Sequence, residues 1–331
     1  MRAKVFDKVF VAGHGGMLGS AIVRKLNEFG LAKELITKSR DELDLGDQAS
    51  TFSFLAESRP SHVIIAAAKV GGIHASMTYP ADFIYENTVI AANLLKGCVT
   101  AGVDTVLFIG SSCIYPRDSK QPMEESSLLS GHLEPTNEPY ALAKIVGIKM
   151  CESFNRQYGC DFRSVQPSNL FGPGDRYHPE NSHVIPALIG KFHKAVEDGA
   201  DSVTLWGTGK VRREFLYSDD AAEGCLHVLS LPKETYHSSV DARCSHVNLG
   251  SGKDCSIQEI AELIAEMTGF TGKMIFDTSK PDGHPRKLLD VSLAERLGWK
   301  SRIDLKDGLR LAYEYYIRSE VAGSGDEQVT E

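Results

Sequence analysis

The sequence is short of positive charge. Lys and Arg number 36 against 44 Asp and Glu, a formal net charge of −8 at pH 7. A surface of that sign repels a phosphate backbone, so DNA and RNA are not expected partners. Long apolar runs are missing too. None approaches the roughly 18 residues of a membrane span, so no membrane partner is expected either. The opening MRAKVFDKVFVAGHGG is a polar lead into a strand, with no secretory core and cleavage site. No Cys-x-x-Cys pair occurs among the seven cysteines, at 98, 113, 151, 160, 225, 244 and 255. The odd count and the spacing argue against a disulfide framework or a zinc site, and no metal is expected. They favour a reducing, cytoplasmic compartment. All but one or two of these thiols are expected to be small buried hydrophobes. Internal repeats and low-complexity tracts are also lacking.

What is present is alternation. Val9–Ala12, Leu35–Thr37, Val63–Ala66, Thr105–Ile109 and Phe162–Gln166 are short, β-rich apolar runs. Segments near 17–29, 47–58, 81–101 and 139–158 carry helical patterns between them. Strands apolar throughout and separated by helices predict an α/β fold, a Rossmann-type doubly wound parallel sheet covered on both faces. Residues 1–170 are assigned to this nucleotide-binding domain, with a returning segment near 213–235. A smaller C-terminal α/β substrate domain takes 171–212 and 236–320. Its expected helices are 182–199, 257–267 and 305–317, and another follows a cap at Ser218 or Asp219. The small, polar tail 321–331 is expected to be disordered.

The first strand runs into VFVAGHGGMLGSAIVRKL, with Gly13, Gly16 and Gly19 at three-residue spacing. Glycine permits the tight turn and the close approach of a pyrophosphate, and the helix start presents N–H groups to the anion. A bare glycine pattern is weak. One that follows the first strand of a βαβ unit is much stronger. Past the second strand, where an acidic residue would grip an NAD ribose, stand Lys38, Ser39 and Arg40. Cations there suit a 2′-phosphate, so NADP(H) is favoured over NAD. Arg40, able to bind bidentately, is preferred to Lys38. The plain alternative is a solvated basic turn.

In NEPYALAKIVGIKM (137–150), Tyr140 and Lys144 lie four apart on one helix face. A nearby ammonium lowers a phenol's pKa, and such a Tyr can exchange a proton with a carbonyl oxygen. The pair alone is common on ordinary helices. It gains weight beside the glycine loop and the GSSCIYP stretch (110–116), where Ser111 and Ser112 follow the fourth strand. On residue type alone, Cys113 and His183 are as readily packing and surface residues as catalytic ones.

The glycine loop, Ser111 and Tyr140-x-x-x-Lys144, in that order, resemble the extended short-chain dehydrogenase/reductases, which mostly modify nucleotide sugars. AAAKVGGI (66–73), YPADFIYEN (79–87), GSSCIYP, LEPTNEPYALAK (133–144), NSHVIPALI (181–189) and KPDGHPRKLLDV (280–291) narrow the likeness. They resemble the branch that converts GDP-4-keto-6-deoxy-D-mannose to GDP-L-fucose by inverting C3 and C5 and reducing C4 with NADPH.

The resemblance implies Cys113 as base, His183 as acid, Ser111 and Tyr140 at the C4 oxygen, and Lys144 beside them. It implies that NADP(H) contacts Gly13, His14, Gly15, Gly16, Met17, Leu18, Gly19 and Arg40, then Ile109, Gly110, Ser111, Ser112, Tyr140 and Lys144. It adds Pro167, Ser168, Asn169, Leu170 and His183. The GDP-sugar is assigned to Lys191, Trp206, Arg213 and Asp282, and a homodimer through a four-helix interface is implied. Gly15 departs from the pattern, because many relatives carry a cation there; Arg40 then bears more of the 2′-phosphate. Two rival readings stay open. One is a redox-neutral nucleotide-sugar epimerase or dehydratase; the other is a non-catalytic NADP(H)-sensing protein. His62, His74 and His246 are read as structural.

Overall fold

The computed structural model describes residues 5–71, 73–103, 105–177, 182–279, 282 and 284–323. The chain opens with β1 (Phe6–Ala12), whose last four residues are buried, and α1 (Met17–Glu28). β2 (Ala32–Ile36), α2 (Gln48–Ser58), β3 (His62–Ile65), α3 (Ile73–Thr78) and α4 (Pro80–Ala101) follow. β4 (Thr105–Ile109), α5 (Glu138–Tyr158) and β5 (Asp161–Pro167) continue the alternation. Local chemistry sets the helix ends. Asp47 caps α2 by accepting the Ser50 N–H, and Pro80 opens α4. Gly102 and Gly159 close α4 and α5 in the left-handed conformation.

The chain then leaves as β6 (Asn169–Phe171), α6 (Val184–Glu197), β7 (Ser202–Trp206) and β8 (Arg212–Tyr217). It returns as α7 (Ser218–Ser230), α8 (Lys233–Ser239) and β9 (His246–Leu249). It ends in β10 (Asp254–Ser256), α9 (Ile257–Thr268), β11 (Lys273–Asp277), β12 (Arg286–Lys287), α10 (Ser292–Arg296) and α11 (Leu305–Gly323).

Six parallel strands form the main sheet in the order β2-β1-β3-β4-β5-β9. One apolar core joins α1 and α7 to one face, with Leu293, Ala294 and Trp299. A second joins α2, α4 and α5 to the other. This is the doubly wound α/β arrangement expected from the buried strand runs. A third core, built on Phe192, Phe215, Ile264 and Leu309, belongs to the smaller unit, whose sheet pairs β8 with β6, β10 and β12.

Three details depart from the sequence reading. Arg212–Tyr217 stays in the second sheet, and the segment that rejoins the first is α7 followed by β9. The cap of α7 is Tyr217, not Ser218 or Asp219. Asp219 is committed to an ion pair with Arg24 at 2.6 Å, and Ser218 is buried. Residues 321–323 of the expected tail continue α11, and 324–331 lie outside the described residues.

None of the seven cysteines is in a disulfide. Four are buried, fewer than expected; Cys113, Cys244 and Cys255 are half-buried. His62 packs on the Phe6 ring at 4.5 Å and His246 is fully buried against Tyr115, both in keeping with structural roles. The His74 side chain lies outside the described residues. Among the described residues no helix is long and apolar enough to cross a membrane, and no cluster of three metal-ligating side chains forms.

Candidate active site

The strand order reverses between β1 and β3, and the crevice at their C-terminal ends is where an open α/β sheet takes its ligand. Gly13 stands there at φ +85°. A Cβ on it would come within 2.5 Å of the Ala67 nitrogen in the loop after β3. A Cβ on Gly19 would fall 2.0 Å from the Gly13 carbonyl oxygen, so α1 is seated directly on the turn. Gly16 begins α1 without a side-chain cap, and His14 Nδ1 is buried without a hydrogen-bond partner. A cradle that admits no side chain, with uncapped helix N–H groups, fits a dinucleotide pyrophosphate. Gly15 faces open space, Met17 is half-buried and Leu18 is buried.

Beyond β2, Lys38 is paired with Glu42 at 3.2 Å. The Ser39 N–H and hydroxyl, then Lys38, hold the Glu42 carboxyl down at about 2. Arg40 is exposed, and among the described residues no hydrogen bond or ion pair engages it. It is the cation left available for a 2′-phosphate.

The second part of the site is the exit of β4. Gly147 of α5 sits where a Cβ would lie 2.2 Å from the Phe108 ring. The helix therefore packs closely on β4 and brings Tyr140 and Lys144 over its end. Lys144 is buried and donates to the Ile109 carbonyl at 2.9 Å. Ser111 accepts the Cys113 N–H on its hydroxyl at 3.3 Å, and Ser112 is buried below. Asn137, at the start of α5, makes no side-chain cap; its amide donates to Cys113 Sγ at 3.5 Å instead.

The expected effect of Lys144 on Tyr140 is not what the geometry gives. Burial, then Cys113, raise the Tyr140 phenol well above its ordinary value, and a hydrogen bond with Ser111 offsets only part. The ammonium stands 5.6 Å from the ring centroid with its proton on Ile109, and burial brings the lysine itself down to about 8. Tyr140 is thus held as a neutral phenol, a proton donor.

Arg213 of β8 reaches the same place. Burial lowers its pKa, and Asp282, Cys113 and Glu134 pull it back. Asp282 accepts the Thr208 N–H at 2.6 Å and its hydroxyl at 2.8 Å, at the end of β7. Trp206, 67% exposed, lies two residues earlier. Lys191 donates to the Thr204 carbonyl at 2.9 Å. The end of β4, β8 and the β7 turn therefore converge. His183 stands at the N-cap position of α6 without a side-chain cap bond; it is exposed, and the partial desolvation it meets lowers its pKa. Among the described residues no hydrogen bond or ion pair joins its side chain to Cys113.

Pro167 ends β5, and Ser168 donates its N–H to the Leu249 carbonyl at 2.9 Å. Asn169 spends its amide N–H on the Glu214 carbonyl at 2.7 Å, which leaves its Oδ1 for a ligand; Leu170 is half-buried beside it in β6. Sequence reasoning passed over Asn137, Gln166, Thr208 and Glu214. A capping-type Asn directly before Glu-Pro was a usable signal for the first. The others act through contacts from distant segments.

A family model described as the NAD dependent epimerase/dehydratase family matches residues 9–250. GDP-L-fucose synthase of Escherichia coli (strain K12) is 52% identical over 95% of this chain and 98% of its own length. GDP-L-fucose synthase 1 of Arabidopsis thaliana is 51% identical over 94% of each. The crystal structure of a GDP-L-fucose synthetase from Naegleria fowleri bound to NADP superposes with a TM-score of 0.86. It is 27% identical and covers 97% of this chain and 95% of that one.

Proposed function

We propose, for a chain that belongs to the NAD dependent epimerase/dehydratase family and within it to the GDP-L-fucose synthases, that it converts GDP-4-keto-6-deoxy-D-mannose to GDP-L-fucose. C3 and C5 are inverted, and the C4 ketone is then reduced. The observation that carries the reading is the company Cys113 keeps. A thiol with an amide N–H on its sulfur stands beside Ser111, Tyr140 and Lys144. A plain ketone reductase has no use for that thiol. An epimerase acting next to a ketone needs a base of its kind.

The ketone makes the C3 and C5 protons acidic. Cys113 removes each in turn, Ser111 and Tyr140 hydrogen-bond the C4 oxygen as it gains charge, and His183 returns a proton on the opposite face; between the two inversions Cys113 releases its proton to solvent and His183 takes one up. Partial desolvation lowers the pKa of the exposed His183; an anionic diphosphate in the cleft draws it back up. NADPH supplies hydride when bound. The loop from Gly13 to Gly19 and Arg40 hold it, and the orphaned His14 Nδ1 and uncapped α1 support that fit. Tyr140, kept neutral by burial, gives its proton to the C4 oxygen, and Lys144 stands behind it as the cation. Arg213 and Lys191 take the diphosphate, Trp206 packs on the ligand, and Asp282 fixes the β7 turn beside Arg213.

We read residues 1–170 with α7, α8, β9 and the α10 segment to Trp299 as the cofactor domain, and the rest as the substrate domain. The chain works as a homodimer in the cytoplasm. α4 and α5 pack side by side and leave Ile84, Tyr85, Leu142 and Val146 exposed, an apolar face suited to a second copy.

The test follows NADPH absorbance with GDP-4-keto-6-deoxy-D-mannose and identifies the product by chromatography. GDP-L-fucose is expected. NADPH loss with a non-inverted sugar would leave a plain 4-reductase. No NADPH loss would favour the redox-neutral or sensing alternatives.

A further inference from the structure

Gln166 is wholly buried at 0% exposure in β5, the strand beside β4. Its Oε1 accepts the Ser111 N–H at 2.8 Å. That bond completes a row of three along consecutive residues. Lys144 holds the Ile109 carbonyl at 2.9 Å, Val165 accepts the Gly110 N–H at 2.9 Å, and Gln166 takes the Ser111 N–H. β4 ends at Ile109, so Ser111 lies past the last regular ladder bond. Without Gln166 the N–H of half-buried Ser111 would have no acceptor from the sheet.

Gly110 makes the contact possible. A Cβ there would sit 1.9 Å from Oε1, 2.6 Å from Cδ and 2.7 Å from Nε2 of Gln166, so the whole amide lies flat against the Gly110 backbone. Ser111 is extended at φ −163°, ψ 149°, and its hydroxyl oxygen receives the Cys113 N–H. The same hydroxyl shares a hydrogen bond with Tyr140, so it stands between the Cys113 turn and the phenol.

We infer that Gln166 is a positioning residue: it fixes the backbone of Ser111 so that one hydroxyl both steadies the Cys113 turn and donates to the reacting ketone oxygen. This rests on the proposed reaction. It accounts for an amide at a fully buried position of β5, in register with Asn248 of β9. An apolar residue of the same volume would pack there but would give Ser111 nothing to bind.

The experiment compares the full chain with Gln166→Leu and Gln166→Glu. Leu keeps the volume and removes the acceptor; Glu keeps the acceptor. Thermal melting and NADPH fluorescence titration first establish that each variant folds and binds cofactor. The Leu variant is expected to lose roughly 10- to 100-fold in kcat, the scale of a small misplacement of a reacting group. Its KM for the GDP-keto-sugar and its NADPH affinity should stay within about twofold, and Gln166→Glu should recover most of kcat. A normal kcat in Gln166→Leu, or a loss shared equally by both variants, overturns the inference. Amide hydrogen exchange at Ser111, measured without substrate, provides a second readout. It should be at least about tenfold faster in Gln166→Leu, because the exchanging N–H has lost its partner. Unchanged exchange also overturns the inference. If the parent chain never turns over the keto-sugar, the proposed reaction fails, and the exchange result alone still decides whether Gln166 holds Ser111.

Discussion

Cys113 differs from the chain's other thiols in its surroundings. Burial pushes Cys151 and Cys225 up to about 12, where they are inert packing. Cys113 is half-buried, takes an N–H on its sulfur, and is near enough to Arg213 to act on its charge. Cys113→Ser is expected to abolish solvent-deuterium incorporation at C3 and C5, because a hydroxyl is a far weaker base, while NADPH affinity changes little. Deuterium uptake at the parent rate, read by mass spectrometry, would remove the base assignment. Tyr140→Phe should separate the two halves of the reaction in the other direction. Reduction is lost, some exchange persists, and undiminished NADPH oxidation would mean the proton comes from elsewhere. Lys144 adds a pH signature. Its pKa is lowered to about 8, so the cation is present at pH 7 and disappears as pH rises through that value. The profile of kcat/KM for NADPH, which reports the free enzyme, should fall above about pH 8. A flat profile to about pH 10, the ordinary range of an exposed lysine, would show that the ammonium keeps its proton.

At the scale of elements, the glycine loop joins packing to binding. Gly19 presses α1 onto the Gly13 carbonyl, so a methyl there must displace backbone. Gly19→Ala should cost about 1–3 kcal/mol, the usual range for overpacking, and should weaken NADPH binding because α1 moves off the turn. Gly15→Ala meets nothing within 4 Å and should leave the melting temperature unchanged. Equal melting temperatures for the two variants would contradict the packing. This loop was legible in the sequence because all its parts lie within a dozen residues, and strand runs and helix periodicity located most other elements for the same reason. The exit of β4 was only half legible. Ser111, Cys113, Tyr140 and Lys144 stand in short motifs. Asn137 reaches Cys113 across 24 residues, and Gln166 reaches Ser111 across 55. No local pattern records such pairings. Burial is equally invisible in a motif, which is why Tyr-x-x-x-Lys spacing suggested a lowered phenol and the packed helix raises it.

The whole molecule depends on how its six-stranded and four-stranded sheets are joined, and Glu214 stands at the joint. It belongs to β8 of the second sheet and is 1% exposed. Its carboxylate accepts the Gly252 N–H at 2.7 Å, just past the last strand of the main sheet, and the Leu289 N–H at 2.8 Å, just past β12. Its own carbonyl holds Asn169, and Arg213 is its neighbour, so the clamp also sets two candidate ligand contacts. Burial outweighs the backbone N–H groups and raises the carboxyl to about 7. The sign follows from that direction. A group whose folded pKa is raised stabilises the fold fully below its unfolded value, about 4.5, and loses that contribution as pH climbs through about 7. Glu214→Gln has no such titration, and its amide sets a donor against one of the two N–H groups, so it should be less stable at every pH. The gap between parent and variant should be widest near about pH 5 and narrow toward about pH 8, because only the parent weakens across that interval. Paired thermal melts over the series measure it. A gap that widens with pH would mean that the fold prefers the charged carboxylate, and that the joint between the sheets is held by an anion, not by a shared proton.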